Sequence, residues 1–193
     1  MARLIDDLGG PLPEEPDSRG RPAEVYGALV RTIAGQQLSV PAARAIWNKL
    51  LAHFDGRVPT PQEILDQDPE TLRAAAGFSR AKVVYLRSLA EHVLDGELEL
   101  DRLAELPDDE VIRELTAVKG IGEWSAHMFL MFTLHRPDVL AVGDLGVRNA
   151  AMRAYGLDAP PTPKALEAMG EAWRPHRTRA CRYLWRSLEN APL

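Results

Sequence analysis

The stretch Leu115-Thr-Ala-Val-Lys-Gly-Ile-Gly-Glu-Trp-Ser-Ala-His-Met-Phe-Leu130 decides the fold, read together with Val142-Gly-Asp-Leu-Gly-Val-Arg148 shortly after it. A helical pattern breaks at Gly120-Ile121-Gly122 and resumes at once, so two helices meet at a turn that lacks Cβ atoms at two positions. Amides at the start of the second helix are thereby left bare. Such N–H groups, reinforced by the helix dipole, make a phosphate site, and glycine lets the phosphate come close. Lys119, Gly120 and Gly122 are the candidate phosphate-holding residues. Asp144 opens a further apolar-periodic helix. Each feature also has a plainer reading. Gly-x-Gly between helices can be an ordinary tight turn, and Asp144 can be an N-cap or an ion-pair partner of Arg148 four residues on.

Working outward, 193 residues with 46% hydrophobic content can bury a real core and suit one domain or two small lobes. No apolar run approaches the roughly 18 residues of a membrane span, and Met-Ala-Arg-Leu-Ile-Asp-Asp is too acidic for a signal peptide, so a cytoplasmic location is expected. The single cysteine, Cys181, rules out an internal disulfide and any four-cysteine zinc or iron–sulfur site. A formal charge of −5 argues against general adhesion to nucleic acid. The charge is unevenly placed, however: Glu91–Glu114 holds ten acids and two bases, and Asp144–Leu188 eight bases and four acids. Nucleic acid could meet the basic side, with an affinity that falls with salt, or both runs could be solvated helix faces.

Residues 1–21 carry Gly9-Gly10-Pro11 and little periodicity, and read as an extended or mobile arm preceding a domain over residues 22–193. Val25, Leu29 and Ile33 begin a helix that Gly35-Gln36-Gln37 interrupts, and Ser39-Val-Pro41 starts another carrying Ala42, Ile46, Leu50 and Phe54 on one stripe. Thr60-Pro-Gln-Glu63 is a capping-box pattern, and Asp68-Pro a second proline-led start. Gly77 stops that helix and Ser79 caps the next, whose stripe is Val83, Leu86, Leu89, Ala90 and Val93. Pro107 opens the helix into the hairpin. After Asp144's helix, Thr162-Pro163 starts one to about Trp173, and a basic helix closes the chain from His176 to Leu188. No strand signal appears. The expected fold is all-α, with roughly ten helices.

Leu115-x-x-Val118-Lys-Gly120-Ile-Gly122-x-Trp124-x-Ala126, followed by the carboxylate in Val-Gly-Asp-Leu-Gly-Val-Arg, resembles the helix-hairpin-helix superfamily of DNA base-excision glycosylases, and within it the alkylbase (3-methyladenine) branch. The resemblance extends from about Ala23 to Leu188. It implies two helical lobes flanking a DNA-facing cleft, with both chain ends in one lobe and no N-terminal sheet domain.

Function follows as expectation. An enzyme of this kind extrudes the nucleotide, and a side chain wedged into the stack offsets part of the cost of a few kcal/mol. Gln36, Gln37 and Leu38 match the wedge-bearing turn, with Gln37 nearest the inserting position; the larger apolar wedge of some relatives is absent, which leaves Leu38 as an alternative. Asp144 matches the catalytic carboxylate, stabilising positive charge on the sugar or orienting the attacking water. Trp124 stands where bifunctional relatives carry a Schiff-base lysine, which implies a monofunctional hydrolase that leaves an abasic site. Trp124 and Trp185 match aromatics lining the base pocket, whose indole faces attract a cationic N-alkylpurine. Met128 replaces an aromatic of some relatives, and His127 is a further pocket candidate. The carbonyls of Thr116, Val118 and Ile121 match a monovalent-cation (Na+ or K+) site bridged to a DNA phosphate; no cofactor is otherwise required and no iron–sulfur cluster is expected. Arg177, Arg179 and Arg182 could touch phosphates. The expected partner is double-stranded DNA with alkylated bases, bound by a monomer, with no membrane. The alternatives are a glycosylase for another lesion, or a non-catalytic hairpin module that binds damaged DNA.

Overall fold

The computed structural model of the chain describes residues 1–8, 10 and 25–188. Among these, the regular elements are eleven α-helices and two short 3-10 helices, with no strand. In chain order the first six are α1 (Ala2–Asp7), α2 (Val25–Gly35), α3 (Val40–His53), α4 (Pro61–Asp66), α5 (Pro69–Ala76) and α6 (Arg80–Leu94). Then come α7 (Asp108–Ala117), α8 (Glu123–Phe132), α9 (Leu145–Tyr155), α10 (Pro163–Gly170) and α11 (Arg177–Ser187). The chain divides into two compact units: Arg19–Phe129, and Met1–Ser18 with Leu130–Leu193.

Local chemistry sets the helix ends of the first unit. Thr60 and Glu63 form both bonds of the capping box, and Asp68 and Ser79 accept the amides of Thr71 and Lys82. Gly77 stops α5 in the left-handed conformation that glycine adopts freely. Helix α6 packs against α2, α4 and α5. Its Leu86 and Leu89 are buried with Leu29, Ile33, Ile64 and Leu72, each such side chain worth about 1.5–3 kcal/mol of transfer free energy. One expected stripe is turned: α3 buries Trp47 with Leu50, while Ala42 and Ile46 are only half-buried. The indole carries more apolar area than either, so the helix rotates to cover it.

In the second unit α9 packs on α11, α10 on α9, and α1 on α11. Asp138 ties down the start of α11. Its carboxylate accepts Arg177 Nε at 2.8 Å, the Arg177 backbone N–H at 3.2 Å and Arg174 Nη1 at 2.8 Å. Burial pushes the Asp138 carboxyl up, and the hydrogen bonds and charges of Arg177 and Arg174 more than reverse this, so it is held below the usual range. Arg177, one of the three arginines that could touch phosphates, thus also serves as an internal anchor of α11.

The expectation of an extended arm over residues 1–21 fails at its first turn and a half. Ala2–Asp7 is helical and lies against α11, with Leu4, Ile5 and Leu8 half-buried. So short a helix forms only where packing supports it, and one apolar turn is too little to register as periodicity. Gly9 and residues 11–24 fall outside the described residues.

Candidate active site

Helix α7 ends as Val118 turns extended, and Gly120 adopts φ +90°, a conformation glycine tolerates and other residues resist. Val118 and Ile121 are buried and pin the hairpin to the core, and the Ile121 N–H reaches the Val118 carbonyl at 3.0 Å. The two glycines serve different ends. A Cβ on Gly120 would land inside the Tyr85 ring, so this glycine is demanded from within the protein. A Cβ on Gly122 would meet nothing within 4 Å, and Gly122 is exposed with no positive φ. Nothing inside the protein calls for glycine there; a close approach from outside would. Of the expected bare amides, that of Lys119 is already used, donating to Ser88 Oγ at 3.2 Å, while the Lys119 side chain is exposed.

The turn between α2 and α3 separates its glutamines. Gln36, grouped above with the wedge residues, points inward: Nε2 donates to the Gly120 carbonyl at 2.8 Å and lies 3.5 Å from Ser125 Oγ. It clasps the hairpin and is not free to enter a base stack. Gln37 has φ +57° and is exposed, as is Leu38. An exposed non-glycine residue in a left-handed conformation is strain that the surrounding turn must sustain.

Asp144 is the N-cap of α9, as its plainer reading held, and something more. Oδ1 accepts the Val147 N–H at 2.7 Å and the Trp185 indole Nε1–H at 2.9 Å. Trp185 is 4% exposed and its ring lies 6.1 Å from that of Phe132. The indole is thus buried and tied to the carboxylate to which it donates. Gly146 makes the approach possible, since a Cβ there would sit 3.0 Å from Asp144 Oδ1 and 3.3 Å from Trp185 Cδ1. Arg148 turns its Nε to the Pro161 carbonyl at 2.6 Å.

Of the remaining pocket candidates, Trp124 is 44% exposed and keeps aromatic surface open. Met128 and His127 are buried in the same unit. Burial lowers the His127 pKa, and this outweighs Glu123, whose carboxylate at 3.8 Å favours the charged form. His127 is therefore neutral at pH 7. A folded pKa below the unfolded value makes its contribution complete above about pH 6.5, and that contribution is lost as the pH falls. The pH dependence of urea unfolding between pH 7 and 5 is expected to flatten in His127→Gln; an unchanged slope would assign the effect elsewhere. Cys181 is no nucleophile, because burial pushes its thiol up to about 12.

A family model described as "HhH-GPD superfamily base excision DNA repair protein" matches residues 30–175. The chain belongs to this superfamily. Among HhH-GPD proteins it is 38% identical to DNA-3-methyladenine glycosylase 1 of Schizosaccharomyces pombe, over 96% of this chain and 80% of that protein. The solved structure of 3-methyladenine DNA glycosylase (Mag1) from the same yeast, in complex with abasic DNA, superimposes with a TM-score of 0.84 at 36% identity, covering 97% and 90% of the two chains. A DNA-3-methyladenine glycosidase from Bacillus halodurans gives 0.79 at 38% identity, covering 96% and 84%. No described helix is long and apolar enough to cross a membrane.

Sequence reasoning missed several residues of this HhH-GPD chain. Tyr85 and Ser88 on α6 underlie the hairpin, and Lys82, one turn earlier, donates Nζ to the Ala34 carbonyl at 2.7 Å. The only signal was a lysine in an otherwise apolar stripe. The second glycine of the Asp144 motif, Gly146, leaves the tight space beside the contact between Asp144 and Trp185.

Proposed function

We propose that the chain is a monofunctional DNA glycosylase that hydrolyses the N-glycosidic bond of alkylated purines, of the 3-methyladenine type, in base-excision repair. The observation that carries the mechanism is the fixed carboxylate of Asp144, held on Oδ1 by a helix amide and a buried indole. As the bond from C1′ to the base nitrogen breaks, its electron pair leaves with the cationic purine, which departs neutral, and positive charge develops on the sugar. Water adds to C1′ and loses a proton, giving an abasic site. An N-alkylpurine is already a good leaving group, so no strong general acid is needed.

The rest of the reading assigns supporting roles. Trp124 offers an exposed indole face, worth about 0.5–2 kcal/mol to a cationic base, and no amine for a Schiff base. Lys119 and the open backbone at Gly122 receive a DNA phosphate. Gln37 or Leu38 fills the vacated stack. A monovalent cation at the carbonyls of Thr116, Val118 and Ile121 suits oxygen donors, and the Val118 carbonyl keeps a lone pair beyond the one given to Ile121. Bound there, it would supply positive charge opposite a phosphate.

The direct test is release of free base from methylated duplex DNA, with the strand checked for nicking before alkali. Free 3-methyladenine with an intact strand supports the reading. Nicking by the protein would contradict monofunctional hydrolysis, and binding without any base release would favour a non-catalytic module. A further expected outcome concerns Trp185. Trp185→Phe keeps an aromatic ring in the core, at the cost of some buried volume, but removes the indole N–H, and a hydrogen bond to a charged group is worth about 1.5–3 kcal/mol. Single-turnover base release should fall by roughly one to two orders of magnitude, with affinity for abasic DNA unchanged. If the concentration of methylated DNA needed for half-maximal rate rose as far as the rate fell, Trp185 would be a base contact instead.

A further inference from the structure

The turn bearing Gln37 and the Gly-x-Gly hairpin are far apart in sequence, yet polar side chains tie both to one helix and to each other. Ala34 lies at the end of α2, where the last carbonyls have no partner within the helix. The buried Lys82 ammonium takes its carbonyl at 2.7 Å, with the sign that a helix C-terminus favours. Two turns on along α6, Ser88 Oγ accepts the Lys119 amide at 3.2 Å, and between them Tyr85 fills the space that Gly120 leaves empty. Lys82, Tyr85 and Ser88 follow one another at three-residue spacing, which places them on successive turns and spans about 9 Å of helix axis. Gln36 closes the loop directly, from the wedge turn to the Gly120 carbonyl at 2.8 Å.

We propose that Lys82, Ser88 and Gln36 form a polar brace that locks the wedge turn and the phosphate-holding hairpin into one rigid piece, so that gripping the DNA backbone and entering the base stack occur as a single event. These are positioning residues; they act through the exposed Gln37–Leu38 tip of the turn and the hairpin amides. A rigid piece loses little conformational freedom on binding, whereas a separately mobile wedge would have to be ordered against the cost of unstacking. Burial lowers the Lys82 pKa, and the Ala34 carbonyl at the end of α2 holds the ammonium.

The inference rests on the glycosylase reading for the chemistry, but its test reads insertion alone. The probe is a duplex with a stable abasic analogue and 2-aminopurine in the opposite strand, whose fluorescence rises when it is unstacked. Wild type, Gln37→Ala, Gln36→Leu and Lys82→Met are compared at saturating protein, with saturation set by anisotropy and folding by circular dichroism. Folded Gln36→Leu and Lys82→Met should bind yet lose about threefold or more of the inserted population, towards the level of Gln37→Ala. Full wild-type fluorescence in Gln36→Leu overturns the brace, as does no rise with wild type. Should Lys82→Met not fold, Gln36→Leu decides. Wild-type base release, run in parallel, judges the glycosylase reading separately: fluorescence that depends on the brace without base release leaves the brace standing and removes the enzyme.

Discussion

Asp144→Asn should lower single-turnover release of an alkylated purine by about a thousandfold while the protein still binds abasic DNA. A carboxylate about 4 Å from the developing sugar cation, at an effective dielectric near 20, contributes about 4 kcal/mol, which is close to three orders of magnitude in rate. The structure makes asparagine the informative replacement. The Val147 amide and the Trp185 indole both donate to Oδ1, and an amide oxygen can still accept them, though more weakly than a carboxylate. Asparagine is also as good an N-cap as aspartate, so α9 keeps its start. The variant therefore removes the charge and leaves the geometry. Full activity in Asp144→Asn would reduce Asp144 to a helix cap; loss of folding along with activity would leave its charge without a demonstrated catalytic effect.

The hairpin glycines should part company in a pair of substitutions. Gly120→Ala combines a side chain at φ +90° with a Cβ driven into the base of the Tyr85 ring. Backbone strain of about 1–3 kcal/mol and overpacking of a similar size add to roughly 2–6 kcal/mol, a large share of a domain's stability. The urea midpoint should fall by about 1–3 M. Gly122→Ala meets no atom within 4 Å and needs no unusual φ, so its midpoint should stay close to wild type. Its effect should appear in DNA affinity instead, measured by anisotropy across a salt series. Equal destabilisation by both substitutions would mean that Gly122 also serves the fold, and unchanged DNA affinity in Gly122→Ala would detach it from phosphate binding.

The elements are set by interactions of different range, and this decides what could be read in advance. A capping box spans three residues, so Thr60 and Glu63 were visible as a pattern and both bonds form. Proline-led starts, Gly77 as a helix stop and the Gly120 turn are local in the same sense. The stripe on α3 was not, because whether Trp47 or Ile46 faces inward depends on the neighbouring helices. Nor was α1, whose helicity comes from its contact with α11.

By itself, then, the sequence determined the helical class, most helix ends, the hairpin turn and the placing of Asp144 at the head of a helix. Each follows from residues within a turn or two of one another, where propensity and capping act. Only the tertiary structure decided which glutamine of the pair turns inward, that Trp185 donates to a carboxylate 41 residues away, and that Lys82 reaches a carbonyl 48 residues before it. Those bonds join groups that only packing brings within 3 Å, and neither periodicity nor spacing along the chain records which partners will meet.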